Sequence, residues 1–227
     1  TYNREGAALL ISYNDIERTN ALSTPFSGYS YYLGVNQYLK NQDNLQQTQF
    51  LLGGSTYWPD LIAENHVVYL KIDGLYSNDR LSPILGASTN SLLIQQDPTI
   101  PYFLMRGYRQ GHFVGETMIN PKIEYRFPMR EINRGNSTHP LFLRRLNGAV
   151  VADGVFLDGR AYNYQDNSFL SVSTNQSFWN LGFEFRFDMN VAYQMPLTAI
   201  VGIYNPLSGS YGSTSSATTH FQVGSFF

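Results

Sequence analysis

Apolar and polar residues alternate one for one along most of this chain. A period of two marks a β-strand whose faces meet different surroundings. The clearest case follows Pro121. Lys122, Glu124 and Arg126 share one face there, and Ile123, Tyr125, Phe127 and Met129 share the other. Segments of this kind span residues 7–14, 29–40, 48–58, 67–76, 119–129, 145–157, 178–189, 193–204 and 219–227. Clusters of Gly, Asn, Asp, Ser and Pro separate them, as expected of turns. Inside 48–58 the pair Gly53-Gly54 predicts a bend or bulge. No 3.6-residue periodicity persists beyond a turn or two. The expected class is all-β and antiparallel.

One long stretch, residues 77–117, carries no good strand pattern. Loops of that length inside a domain are uncommon and usually functional. It contains Leu104-Met105-Arg106-Gly107-Tyr108, set between Pro101 and the spaced glycines Gly107, Gly111 and Gly115. The expectation is that Arg106 folds inward and meets carboxylates of the wall, rather than standing as an exposed loop charge of little consequence.

Composition turns this pattern toward a membrane. Only 14% of the 227 residues are charged, 15% are aromatic, and there is no cysteine. Seventeen Tyr and fifteen Phe would be a liability on a water-facing surface. They are ordinary on a lipid-facing sheet, where aromatic girdles mark the two interfaces. A soluble β-sandwich also alternates, but it turns its polar face to water. Here the polar faces mix opposite charges densely, as in 178–189, where Asn180, Glu184, Arg186 and Asp188 oppose Trp179, Leu181, Phe183, Phe185, Phe187 and Met189. A net charge of −2 gives no basic footprint for nucleic acid. No apolar run is long enough for a transmembrane helix. Thr1 is not an initiator Met, and an upstream segment is expected to have been removed or left out. The strands read from the pattern number nine, whereas bacterial single-chain barrels are usually even. Either residues 7–14 are not a barrel strand, or a strand lies upstream.

Catalytic and metal chemistry find no support. His66, His112, His139 and His220 are far apart and lack ligand spacing. The glycine series after Arg106 is not followed by the Lys-Ser/Thr and helix of a phosphate loop. Ser208 to Ser216 reads as an extracellular loop. Glu184, Arg186 and Asp188 read as an interior charge ladder, not as acid and base. No enzyme activity, cofactor or metal is expected.

Several of these residues together resemble a family. Arg106-Gly107-Tyr108, then Gly111 and Gly115, then Glu124-Tyr125-Arg126-Phe127-Pro128, resemble the signature of the bacterial surface-antigen barrels. These include BamA-, TamA- and FhaC-type assembly and secretion proteins and barrels fused to patatin-like domains. Gly148 to Gly154 resembles the family's Asp-bearing strand, with Val151 where an aromatic is usual. Asp15, Arg18, Asn20, Pro25 and Gly28 resemble a periplasmic turn. The end, His220 to Phe227, is similar to a terminal outer-membrane strand, with Phe221, Val223 and the final Phe227 carrying the signal.

The resemblance implies an antiparallel transmembrane β-barrel in the bacterial outer membrane with the long loop folded back toward the lumen, and the segment count makes it a small one of about eight to ten strands in one domain over 1–227. It implies that Arg106 contacts Glu124 and Asp153, both on polar faces of their strands. It implies a noncovalent role in inserting or moving proteins, or lipids, with a weak seam or thinned membrane near 221–227. The partners are then the bilayer, client outer-membrane proteins, and a second copy pairing edge to edge. The alternative is a passive, self-associating barrel. Family members typically have sixteen strands and periplasmic modules, which this chain does not display.

Overall fold

The structure is a computed structural model, which describes residues 6–17, 25–38, 47–77, 105–108, 116–135, 140–158, 161–163, 168–170, 176–192, 195–207 and 217–224. The alternating segments form strands, and no helix occurs among the described residues. They are β1 (Gly6–Glu17), β2 (Ser27–Tyr38), β3 (Gln47–Pro59), β4 (Val67–Ser77), β5 (Thr117–Gly135) and β6 (Leu141–Asp158). A short hairpin, β7 (Ala161–Asn163) with β8 (Ser168–Leu170), follows, then β9 (Gln176–Val191), β10 (Met195–Pro206) and β11 (Thr218–Gly224). The β7–β8 hairpin had no signature in the alternation.

Nine strands make one antiparallel meander, in the order β1-β2-β3-β4-β5-β6-β9-β10-β11. It does not close on itself: β1 and β11 are its edges among the described residues. The expectation of a closed barrel is thus met only as far as an all-β antiparallel sheet. Every step along the meander reverses direction, so the first and ninth strands run the same way. Pairing β1 with β11 would therefore be parallel. The first segment is a full strand of the sheet, since β1 pairs with β2 from Gly6↔Tyr38 to Glu17↔Ser27. One further expectation is corrected: Gly53-Gly54 makes no bulge, since the register runs unbroken through both toward β2 and β4. Its irregularities lie instead on β5 near Pro128 and Glu131 and on β6 near Leu143.

Strand polarity sorts the connections into two ends. Connections 18–26, 60–66, 136–140 and 192–194 attach at one end. The longer connections 78–116, 159–175 and 207–217, with 39–46, attach at the other. At the short-connection end Gly28 has φ +104°, and a Cβ there would lie 2.0 Å from the Asp15 carbonyl oxygen. Only glycine fits that approach.

The two faces of the sheet are inverted relative to a soluble protein. One face carries the buried charges Asp73, Glu124, Asp153, Glu184, Arg186 and Asp188, each at most 6% exposed. The other presents Ile11, Leu33, Leu52, Ile72, Ile123, Leu181 and Ile203, all 48–64% exposed. A water-soluble sheet would hide the second set and hydrate the first.

Candidate functional site

The charged face is organised by four residues that do not belong to any strand, Met105 to Tyr108. The apolar residues of the inner face nearest the long-connection end are Leu51, Leu75, Met118, Val155, Leu157 and Phe178. They form one buried cluster with Met105 and Tyr108. Met105 is fully buried, and Tyr108 meets Phe178 edge-on at 6.1 Å and donates to the Trp179 carbonyl at 3.1 Å. Burying side chains of this size contributes roughly 1.5–3 kcal/mol each. That apolar layer holds the segment down and leaves Arg106 facing the middle of the sheet.

There the guanidinium meets three strands at once. Its Nε and Nη2 donate to the two oxygens of Asp153 on β6, at 2.8 and 2.5 Å. Its Nη1 donates to Glu124 on β5 at 2.8 Å and to Glu184 on β9 at 2.7 Å. The planar fork suits this, because one edge grips a carboxylate bidentately while the remaining donors serve others. The backbone is held as well. The Arg106 amide donates to Asp153 at 3.2 Å, and Asn180 on β9 donates to the Arg106 carbonyl.

Two further arginines neutralise the cluster. Arg186 on β9 donates to Glu124 at 2.8 Å and to Glu184 at 2.5 Å. Arg126 on β5 donates to Glu124 at 2.6 and 2.8 Å and lies over the rings of Tyr69 and Tyr57, 4.8 and 5.4 Å from their centroids. Tyr204 on β10 donates to Glu184 at 2.6 Å. Three arginines thus face three carboxylates across β5, β6 and β9. Buried ions repay their desolvation only with this degree of pairing and hydrogen bonding. The flanking polar residues are partnered too. Asp188 accepts from Asn147 and Thr198, and Asp73 accepts from Tyr32 at 2.9 Å and pairs with Lys71 at 3.0 Å.

Gly107 is the mechanical joint. Its φ is +84°, and a Cβ would sit 3.2 Å from Tyr204 Cβ and 3.4 Å from Asn180 Nδ2. The positive φ turns the chain between the ionic and apolar layers, and the missing side chain lets it pass under β9 and β10.

The structure therefore brings together Arg106, Glu124 and Asp153, with Gly107 and Tyr108 beside them. It adds Glu184, Asn180, Tyr204 and Met105, to which the motif did not point. Parity was the available signal for Asn180 and Glu184, since both lie on the polar face of their strand. Val151, where an aromatic was expected, is fully buried beside Ala149 and Tyr204, so a ring from β10 occupies that neighbourhood. At the terminal strand Phe221 is exposed, and Val223 pairs with Ala199 in the ladder. Phe227 lies outside the described residues. So do Gly111, Gly115, Arg18 and Asn20, His112 and His139, and the whole Ser-rich 208–216 stretch. His66, the histidine whose side chain is described, bonds the Tyr125 hydroxyl at the 60–66 turn. No group of three His, Cys, Asp or Glu placed to hold a metal occurs among the described residues. No described helix is long and apolar enough to cross a membrane, which says nothing of crossing by strands.

No family model matches the chain, and no curated protein matches it.

Proposed function

We propose that this chain forms the wall of an outer-membrane β-barrel of the surface-antigen type. Its role is to assist the insertion or movement of proteins, or lipids, at that membrane without covalent chemistry. The observation that carries the membrane reading is the inverted sheet, with paired charges buried on one face and large apolar side chains exposed on the other.

The path of the apolar belt supports the same reading. The ladder row through Ile11 and Leu33 passes Leu52, Gly74, Ile119 and Phe156, and meets β9 only at Ser177, near its start. The row through Val201 and Phe185 passes Gly148 and Phe127 and runs out below Val67, the first residue of β4. The belt thus slips by about one to one and a half residues per strand. At about 3.3 Å per residue and about 4.8 Å between strands, the slant is roughly 35–45°. That is the tilt of strands in membrane barrels. Outward rings border the belt on both sides. Phe50, Tyr76, Phe156 and Trp179 stand toward the long-connection end, and Tyr13, Tyr29, Tyr31, Trp58 and Tyr125 toward the other.

The assisting role rests on the division of labour within the sheet. The Arg106 lock fastens β5, β6 and β9 together, while β1 has one edge with no partner among the described residues and is exposed on both faces from Gly6 to Asp15. An open edge is a template for another strand. Because β1 and β11 run alike, the strand that joins either edge antiparallel must run from the short-connection end to the long one.

The test is reconstitution of the full chain in liposomes, with the folding rate of a second, unrelated barrel protein as readout. Faster folding than in empty liposomes is expected. Equal rates would overturn the assisting role and leave the passive, self-associating barrel.

A further inference from the structure

Gly53 and Gly54 are adjacent, yet only one is accounted for by the fold. A Cβ on Gly53 would lie 2.4 Å from the Tyr32 ring on the inner face, so that position must be bare. A Cβ on Gly54 would meet nothing closer than the Ser30 carbonyl at 3.4 Å, and no positive φ is recorded there. Glycine weakens a strand interior. Neither backbone geometry nor inner packing requires it at 54.

What Gly54 creates is a notch in the exposed apolar face. It pairs across the ladders with Tyr31 and Ile72, with Leu52 and Thr56 two residues away on its own strand. These residues, with Tyr29 and Leu70, line an open recess of about 420 Å³ on that face, with Gly54 at its floor. The walls are hydrocarbon and ring faces. Tyr29 and Tyr31 stack with Tyr13 at 5.9 and 5.2 Å, so the wall toward the short-connection end is braced.

We infer that this notch holds one acyl chain of a bilayer lipid. The inference rests on the membrane reading above. The size of the recess decides between occupants. It spans three strands and, at about 420 Å³, falls within the range of small-ligand sites, about 300–1,000 Å³. A stable protein partner needs about 800 Å² of each surface. Lys71 is the one charged residue of the lining; it alternates with the outward Leu70 and Ile72 and pairs with Asp73 at 3.0 Å, so it offers nothing in the recess to select a peptide or an anion. A flexible hydrocarbon chain fills it and leaves the lipid headgroup beside the Tyr29 and Thr56 hydroxyls.

The test uses the full chain in nanodiscs of a single phosphatidylethanolamine. It is released into mild detergent and weighed intact by native mass spectrometry, alongside Gly54→Leu and, as control, Leu181→Ala on the same face. Retention of one lipid by the wild type and the control is expected, with a severalfold drop for Gly54→Leu. Equal retention in all three proteins, or none in the wild type, overturns the notch. A dimer in the wild type that Gly54→Leu abolishes also overturns it, by assigning the recess to a second copy. Quenching of Trp58 and Trp179 by brominated lipid separates the two readings. If neither tryptophan is quenched, the membrane reading itself fails. If both are quenched and lipid retention is unchanged, only the notch fails.

Discussion

Strands β1 and β9 carry the same period-two pattern and lie in the same sheet, yet they meet opposite circumstances. On β9, Asn180, Glu184, Arg186 and Asp188 are at most 5% exposed. On β1 the residues of the corresponding face, Ala8, Leu10, Ser12 and Asn14, are all exposed. The difference is the segment 105–108. It covers the β5–β9 part of the inner face and supplies the cation that makes buried carboxylates tolerable. Nothing among the described residues does this for β1. An alternating strand therefore specifies a two-faced element, not what either face will touch. The locked part and the open edge point to different work, one holding shape and the other able to accept a strand.

The sharpest way to break this contrast is to remove the lock. Arg106→Ala leaves Glu124, Asp153 and Glu184 buried with one cation fewer. Stranding buried charges costs about 3–5 kcal/mol. Urea unfolding in detergent should show a loss of that size, and wild-type stability would overturn the structural role of the cluster. Gly107→Ala comes next. It forces a side chain to positive φ against Tyr204 and Asn180. A loss of about 1–3 kcal/mol is expected, read in the same way. Tyr204→Phe deletes a single donor to a buried carboxylate, 2.6 Å from Glu184. Its expected cost, about 1–3 kcal/mol, should shrink in an Arg106→Ala background if the two act through the same carboxylate, which a double-mutant cycle measures. The smallest effect belongs to the open edge. Leu10→Ala should change stability by no more than about 0.5 kcal/mol. A larger loss in lipid than in detergent would show that β1 gains cover in its assembled state.

The motif Arg106-Gly107-Tyr108 and the parity of Glu124 and Asp153 were sufficient to anticipate half of the ionic cluster. Alternation put both carboxylates on the polar face, and the missing strand pattern over 77–117 put Arg106 in a loop that could fold inward. Glu184 was legible as a polar-face residue but not as a partner of Arg106. That contact depends on β9 lying next to β6 after the excursion through 159–175, which no local pattern encodes. Tyr204 was harder still, since its ring substitutes from β10 for an aromatic expected near Val151. The double glycine misled because it suggested a bulge, whereas the two residues serve opposite faces of an unbroken ladder.

The chain alone therefore settled what repeats locally: strands, their two faces, and the residues each face carries. Side-chain direction along a strand follows from the backbone itself and needs no partner. Strand order, register, the meeting of Arg106 with three separate strands, and the like direction of β1 and β11 were decided only by tertiary structure. Those features are set by pairing between segments distant in sequence, where a slip of one residue would exchange the buried charges for the exposed hydrocarbon.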